Sequence, residues 1–153
     1  MVVDRRASDL HRRPPGRMQP LRTFIVEDSP VILDNLVSAL EELTPVDVVG
    51  TARDEASALQ WLLSPDHACE LVIIDIFLHS GSGLGVLARL GAAEVPGKRV
   101  VLTNYATRDM RERCRSLGAH RVFDKSSEID KLIAYCTRIA QDDAGTLPGE
   151  LAE

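Results

Sequence analysis

Cysteine is scarce and unpaired in pattern. The chain of 153 residues holds three, Cys69, Cys114 and Cys136, far apart and with no C-x-x-C pair. That spacing excludes a disulfide framework and the usual zinc motifs, and it suits buried thiols in a cytoplasmic protein. Long hydrophobic runs are also missing. The longest are strand-sized, such as Leu71–Ile74, far short of the roughly 20 apolar residues that cross a bilayer, so no membrane association is expected. Arginines open the chain, but no apolar segment follows them, so no secretory signal is expected. Internal repeats are absent. So are G-x-x-x-x-G-K-[ST] and G-x-S-x-G, which removes the P-loop and nucleophile-elbow chemistries. What remains is 44% apolar and 27% charged, a balance that supports one folded domain with its own core.

The net charge of −5 conceals an asymmetry. Residues 1–17 carry five arginines against Asp4 and Asp9; the rest carry 13 basic and 21 acidic side chains. An acidic body is a poor surface for nucleic-acid phosphates. The opening stretch contains Pro14, Pro15 and Gly16 and has no helical periodicity, so residues 1–19 read as a disordered basic leader. Residues 142–153 are polar, contain Gly145, Pro148 and Gly149, and read as a flexible tail.

Between these ends, apolar segments alternate in period. Residues 21–26, 46–51, 71–74, 99–103 and 121–123 read as strands. Each is followed by a helical pattern. Ser29 and Pro30 suit the start of the first helix, Asp54 the second, Thr107 the fourth, and Ser126 or Ser127 the fifth. Gly91 and Gly118 are placed to stop the third and fourth. The first helix repeats Ile32, Leu33, Leu36, Val37, Leu40 and Leu43. Five strands alternating with five helices predict a doubly wound parallel α/β sheet over residues 20–141, with right-handed crossovers.

In such a sheet the working crevice lies at the carboxyl ends of the strands. The first strand ends at Glu27 and Asp28, the third at Asp75 and the fourth at Thr103, and the fifth runs into Lys125. Three carboxylates on one rim repel unless a cation joins them, and hard oxygen donors suit Mg²⁺. The lysine and hydroxyl are left to hold an anion. A metal beside a carboxylate, facing a cation and a hydroxyl donor, is a site for a phosphoryl group on that carboxylate. The stretch Gly81-Ser82-Gly83-Leu84-Gly85 imitates a dinucleotide fingerprint, but Val86 stands in place of its last glycine. These glycines read as a flexible entry to the third helix.

The segments FIVEDSP, LVIIDIFL with Gly83 eight residues after Asp75, VVLTNY and FDKS, and the 22-residue interval from Thr103 to Lys125, are similar to those of response-regulator receiver domains of two-component signalling. The resemblance covers roughly residues 20–141. It implies a flavodoxin-like fold with strand order 2-1-3-4-5 and the following roles. Asp75 is the phosphoacceptor. Glu27, Asp28 and Asp75 hold Mg²⁺ together with the main-chain carbonyl of Phe77. Thr103 and Lys125 bind the phosphoryl group. Val122 stands where the family commonly has an aromatic, so Tyr105 or Phe123 is the candidate for the moving ring. Ser126 stands where a proline commonly follows the lysine. His79, four residues after Asp75, replaces a frequent proline and reads as a solvated loop residue.

The expected function is that of a stand-alone, non-enzymatic receiver. It would take a phosphoryl group from a sensor histidine kinase or phosphotransfer protein and signal to a downstream protein by contact, with dimerisation on phosphorylation left open. No recognition helix follows the fifth helix, so direct DNA binding is not expected. Two alternatives remain: a degenerate receiver that binds its partner without being phosphorylated, and a small Mg²⁺-dependent phosphatase using Asp75. The full Glu–Asp–Asp–Thr–Lys set weighs against the first. Phe77, where such a phosphatase wants a second aspartate, weighs against the second. The fourth helix carries Arg108, Arg111, Arg113 and Arg115 against Asp109 and Glu112. Met110, Cys114 and Leu117 account for its inner face, so Arg108, Arg111 and Arg115 are the expected output face.

Overall fold

A computed structural model describes residues 2–4 and 20–141. Six strands, β1 (Val2–Asp4), β2 (Leu21–Val26), β3 (Val46–Ala52), β4 (Leu71–Ile74), β5 (Lys98–Thr103) and β6 (Arg121–Asp124), form one sheet. Five helices accompany them: α1 (Pro30–Leu43), α2 (Glu55–Leu62), α3 (Gly83–Ala92), α4 (Arg108–Ser116) and α5 (Ile129–Gln141). The sheet order is β1-β3-β2-β4-β5-β6. Its five parallel strands, β2 to β6, therefore run 2-1-3-4-5 in their own numbering, as expected.

The strand β4 shows why its sequence does not alternate. Val72 and Ile74 join Phe24, Val26, Trp61, Leu87 and Val101 on the face covered by α2, α3 and α4. Leu71 and Ile73 join Ile25, Leu36, Leu40, Leu102 and Leu132 on the face covered by α1 and α5. Both faces are dry, so every position is apolar. Ser29, Asp54 and Thr107 cap α1, α2 and α4 through Ile32, Ser57 and Met110 amides, as expected.

Three local expectations fail. Within the leader, Val2–Asp4 forms β1, paired antiparallel with β3 in the register Val2↔Ala52. A β-branched pair meets the open edge of β3, whose amides and carbonyls would otherwise lack partners. Residues 1, 5–19 and 142–153, which hold the rest of the leader and the tail, lie outside the described residues. Next, α3 runs through Gly91 to Ala92, and the left-handed turn falls on Glu94 at φ 54°. Glycine permits a helix stop without forcing one. The turn into α5 is organised by Asp124, whose Oδ1 accepts from the Ser126 amide at 2.8 Å and hydroxyl at 2.6 Å, rather than by a serine cap. The apolar repeat of α1 is helical as expected, with Leu36 and Leu40 buried and Ile32 and Leu43 at its exposed margins.

Candidate functional site

Strand register assembles the site. Val26 lies opposite Ile74, and the ladder continues one step through the Asp75 amide, which donates to Val26 O at 2.9 Å. Glu27 and Asp75 thus leave the sheet side by side. On the far strands Thr103 lies opposite Asp124, and the Lys125 amide donates to Thr103 O at 2.9 Å. Lys125 is therefore set just beyond the rim, facing the carboxylates. One oxygen from each of Glu27, Asp28 and Asp75 lies within 4.8 Å of the others. That group of hard oxygen donors fits Mg²⁺.

The Lys125 ammonium sits inside this group, 2.7 Å from Glu27 Oε1 and 3.0 Å from Asp75 Oδ2. Glu27 and Asp75 are buried, and the Lys125 side chain is only 11% exposed. Burial pushes the Asp75 carboxyl above the usual carboxylate range; the Lys125 hydrogen bond and charge pull it down, and Glu27 pushes it up again. For Lys125, burial opposes the charge, but Glu27 and Asp75 outweigh it and hold the ammonium above its ordinary value. The two shifts agree physically. The lysine has two carboxylates, whereas the two carboxylates share one lysine, so Asp75 is only partly compensated. Glu27 is further fixed by the Ser29 amide, which donates to its Oε2 at 3.0 Å.

Thr103 is fully buried and its Oγ1 accepts from the Tyr105 amide at 3.1 Å, which leaves its hydroxyl proton to donate elsewhere. Of the two candidate rings, Phe123 is buried and packs at 5.9 Å on Tyr135. Tyr105 is 59% exposed and meets Phe77, itself 52% exposed, edge to face at 4.7 Å. The exposed pair spans the loops that follow Asp75 and Thr103. His79 is exposed, as expected.

The loop after Asp75 is closed tightly. Phe77 bridges Ser82, and the Gly83 amide donates to Ile76 O at 2.8 Å. A Cβ at Gly83 would lie 2.1 Å from Asp75 O, so this glycine is required by close approach and is no flexible entry. Two residues missed at the sequence level touch the site's loops. Arg53 Nε donates to Asp28 O at 3.0 Å, and Glu55 Oε1 accepts from the Ser82 amide at 2.9 Å. Both flank the Asp54 cap, where an arginine and a first-turn glutamate read as local features. Their partners are 25 and 27 residues away, beyond any periodicity.

The expected output face divides. Arg108, Arg113 and Arg115 are exposed, but Arg111 turns inward. Its Nε donates to Ala106 O at 3.0 Å, Nη1 to Val122 O at 2.8 Å, and Nη2 to Glu128 Oε1 at 2.9 Å. It ties α4 to β6 and to the turn before α5. Helical spacing alone cannot distinguish an arginine that snorkels outward from one that reaches back over neighbouring carbonyls. The Glu128 carboxyl, bonded by the Asp124 amide and by Arg111, is held down to about 2. Its stabilisation is present above the ordinary value of 4.5 and is lost as pH falls toward 2. Arg111→Ala is expected to cost about 2 kcal/mol at neutral pH and to flatten the acid limb of stability in that window, as read by urea titration across pH.

Residues 23–137 match the response regulator receiver domain family. Among curated proteins, the transcriptional regulatory protein PdtaR of Mycobacterium tuberculosis is 34% identical over 118 residues, covering 74% of this chain and 54% of that protein. The transcriptional regulatory protein YvfU of Bacillus subtilis is 33% identical over 112 residues, covering 73% and 55%. The chain thus spans about half the length of these relatives. The structure of a Francisella response regulator receiver domain superposes with a TM-score of 0.71 at 18% identity, covering 80% of this chain and 98% of that one. A Burkholderia pseudomallei response regulator with a phosphorylated aspartic acid and a calcium ion superposes at 0.65 and 22% identity, covering 81% and 71%. Among the described residues, no helix is long and apolar enough to cross a membrane.

Proposed function

The chain belongs to the response regulator receiver domain family, and we propose that it takes a phosphoryl group onto Asp75 from a histidine kinase or phosphotransfer protein. The observation that carries this reading is the Lys125 ammonium held between Glu27 and Asp75 inside a three-carboxylate cluster. Glu27, Asp28 and Asp75, with the Phe77 main-chain carbonyl, would hold Mg²⁺. When bound, the ion supplies positive charge against the phosphoryl oxygens.

Asp75 acts as the nucleophile. Its carboxylate oxygen forms an O–P bond as the P–N bond to the donor histidine breaks, and the departing imidazole takes up a proton. Lys125 is positioned to follow the added charge, exchanging part of its contact with Asp75 for the phosphoryl group. Thr103 donates its free hydroxyl proton to a phosphoryl oxygen. That movement pulls residues 104–107, which lead directly into α4. The signal would leave through α4, β6 and α5, where Arg108, Arg113 and Arg115 offer exposed positive charge to an acidic partner or to a second copy of the chain.

Incubation with acetyl phosphate and Mg²⁺, followed by intact mass, is expected to show one added phosphoryl group that is not gained when the metal is chelated beforehand. Mapping chemical shifts with beryllofluoride is expected to move residues 104–117. Changes confined to the loop after Asp75 would refute the output route.

A further inference from the structure

Glu55 is the first residue of α2, yet its side chain serves α3. In a capping box, a glutamate at the third helical position reaches back to the amide of the capping residue. The cap of α3 is Ser82, whose Oγ accepts from the Leu84 amide at 3.0 Å. The third helical position is Gly85, which has no side chain to complete the box. The missing carboxylate arrives from α2. Glu55 Oε1 accepts from the Ser82 amide at 2.9 Å, and a Cβ at Gly85 would lie 2.4 Å from Glu55 Oε2. Glu55 therefore occupies the place that a side chain at Gly85 would take. Its own amide donates to Ser80 O at 3.1 Å, so the residue grips the loop at two points.

That loop runs from Asp75 to Ser82 and contains Phe77, bridged to Ser82. Two residues earlier, Arg53 holds the Asp28 carbonyl. The junction between β3 and α2 thus touches both loops whose residues would hold the metal, through Asp28 O and the Ser82 amide, and would contribute no ligand itself. Resting on the phosphoacceptor reading above, we infer that Glu55 is a positioning residue that completes the α3 cap from another helix and, by tying the loop to α2 rather than by capping alone, fixes Phe77 for metal binding.

The experiment uses the full chain with and without Mg²⁺. Metal affinity is measured by calorimetry, stability by thermal melting, and loop order in the metal-free protein by amide exchange over residues 76–83. Glu55→Ala is expected to weaken Mg²⁺ binding about tenfold, the scale seen when groups orienting metal ligands are removed, and to expose the Ser82 amide to exchange. Glu55→Gln still accepts that hydrogen bond and is expected to stay within about threefold of the wild type. Glu55→Asp, one methylene short, is expected to resemble Glu55→Ala and serves in its place should that variant unfold. The decisive variant combines Glu55→Ala with Gly85→Glu, which rebuilds the box within α3. It is expected to recover the melting temperature without recovering metal affinity, because the tie to α2 stays cut. Recovery of both would reduce Glu55 to a helix cap and overturn the inference. So would wild-type affinity in both Glu55→Ala and Glu55→Asp. A wild type that binds no Mg²⁺ and takes no phosphoryl group would instead overturn the site reading, and this inference with it.

Discussion

Replacing Asp75 by asparagine is expected to abolish phosphoryl uptake and to raise the melting temperature. Loss of the nucleophile leaves an amide that cannot form the acyl phosphate, so the rate of mass gain should fall by about a thousandfold or more. The stability effect runs the other way. Burial holds the Asp75 carboxyl above its ordinary range, so the folded protein binds that proton more tightly than the unfolded chain does. The fold is then favoured at low pH, and it loses stability as pH rises from the ordinary carboxylate value through the raised one. At neutral pH the ionised group is a net burden. Asparagine removes the charge and can still accept from Lys125. Intact mass after acetyl phosphate treatment checks the first half, and melting at pH 7 checks the second. Phosphoryl uptake at the wild-type rate would remove Asp75 as the acceptor. A melting temperature several degrees lower would mean that the pairing with Lys125 outweighs burial.

Lys125→Met is expected to give the largest loss of stability within the site. The substitution keeps the length of the side chain but leaves Glu27 and Asp75 buried without their shared ammonium. Breaking a buried ion pair from one side costs about 3–5 kcal/mol, roughly 10 °C of melting temperature in a domain of this size. In the wild type, the Lys125 contribution is complete below its ordinary value of 10.5 and fades as pH rises through the raised value. The deficit of the variant should shrink in acid, where Asp75 takes up a proton, and shrink again when Asp75→Asn is added. A double-mutant cycle with a coupling below about 0.5 kcal/mol would show that the two side chains are independent.

Most of the framework was legible from pattern. The five parallel strands, the starts of α1, α2 and α4 and the five site residues at strand ends follow from local signals: β-branched runs, capping residues and the switch between two periodicities. The site is legible for a topological reason. In a parallel sheet every strand ends on the same rim, so residues that close different strands must meet. Position along the strand is enough to predict the neighbourhood of Glu27, Asp28, Asp75, Thr103 and Lys125, although it says nothing of which carboxylates the lysine bonds.

The misses share one cause. A side chain's local spacing describes its own helix, whereas its partners belong to other elements. Arg111 has the spacing of a surface residue and the contacts of a strut, because two carbonyls and Glu128 lie within reach of its guanidinium. The glycines at 83 and 85 have the composition of a flexible loop and the environment of a packed joint, because Asp75 O and Glu55 occupy the space their side chains would need. Val2–Asp4 carries no periodicity in so short a run; the open edge of β3 gives it structure. The sequence by itself determined the fold class, the sheet order through its family likeness, and the residues at the rim, since these depend on hydrophobic period and on where each strand stops. Tertiary structure decided the sharing of one ammonium by two buried carboxylates, the inward turn of Arg111 and the reach of Glu55 into another helix's cap, since each depends on distances between segments that no local pattern encodes.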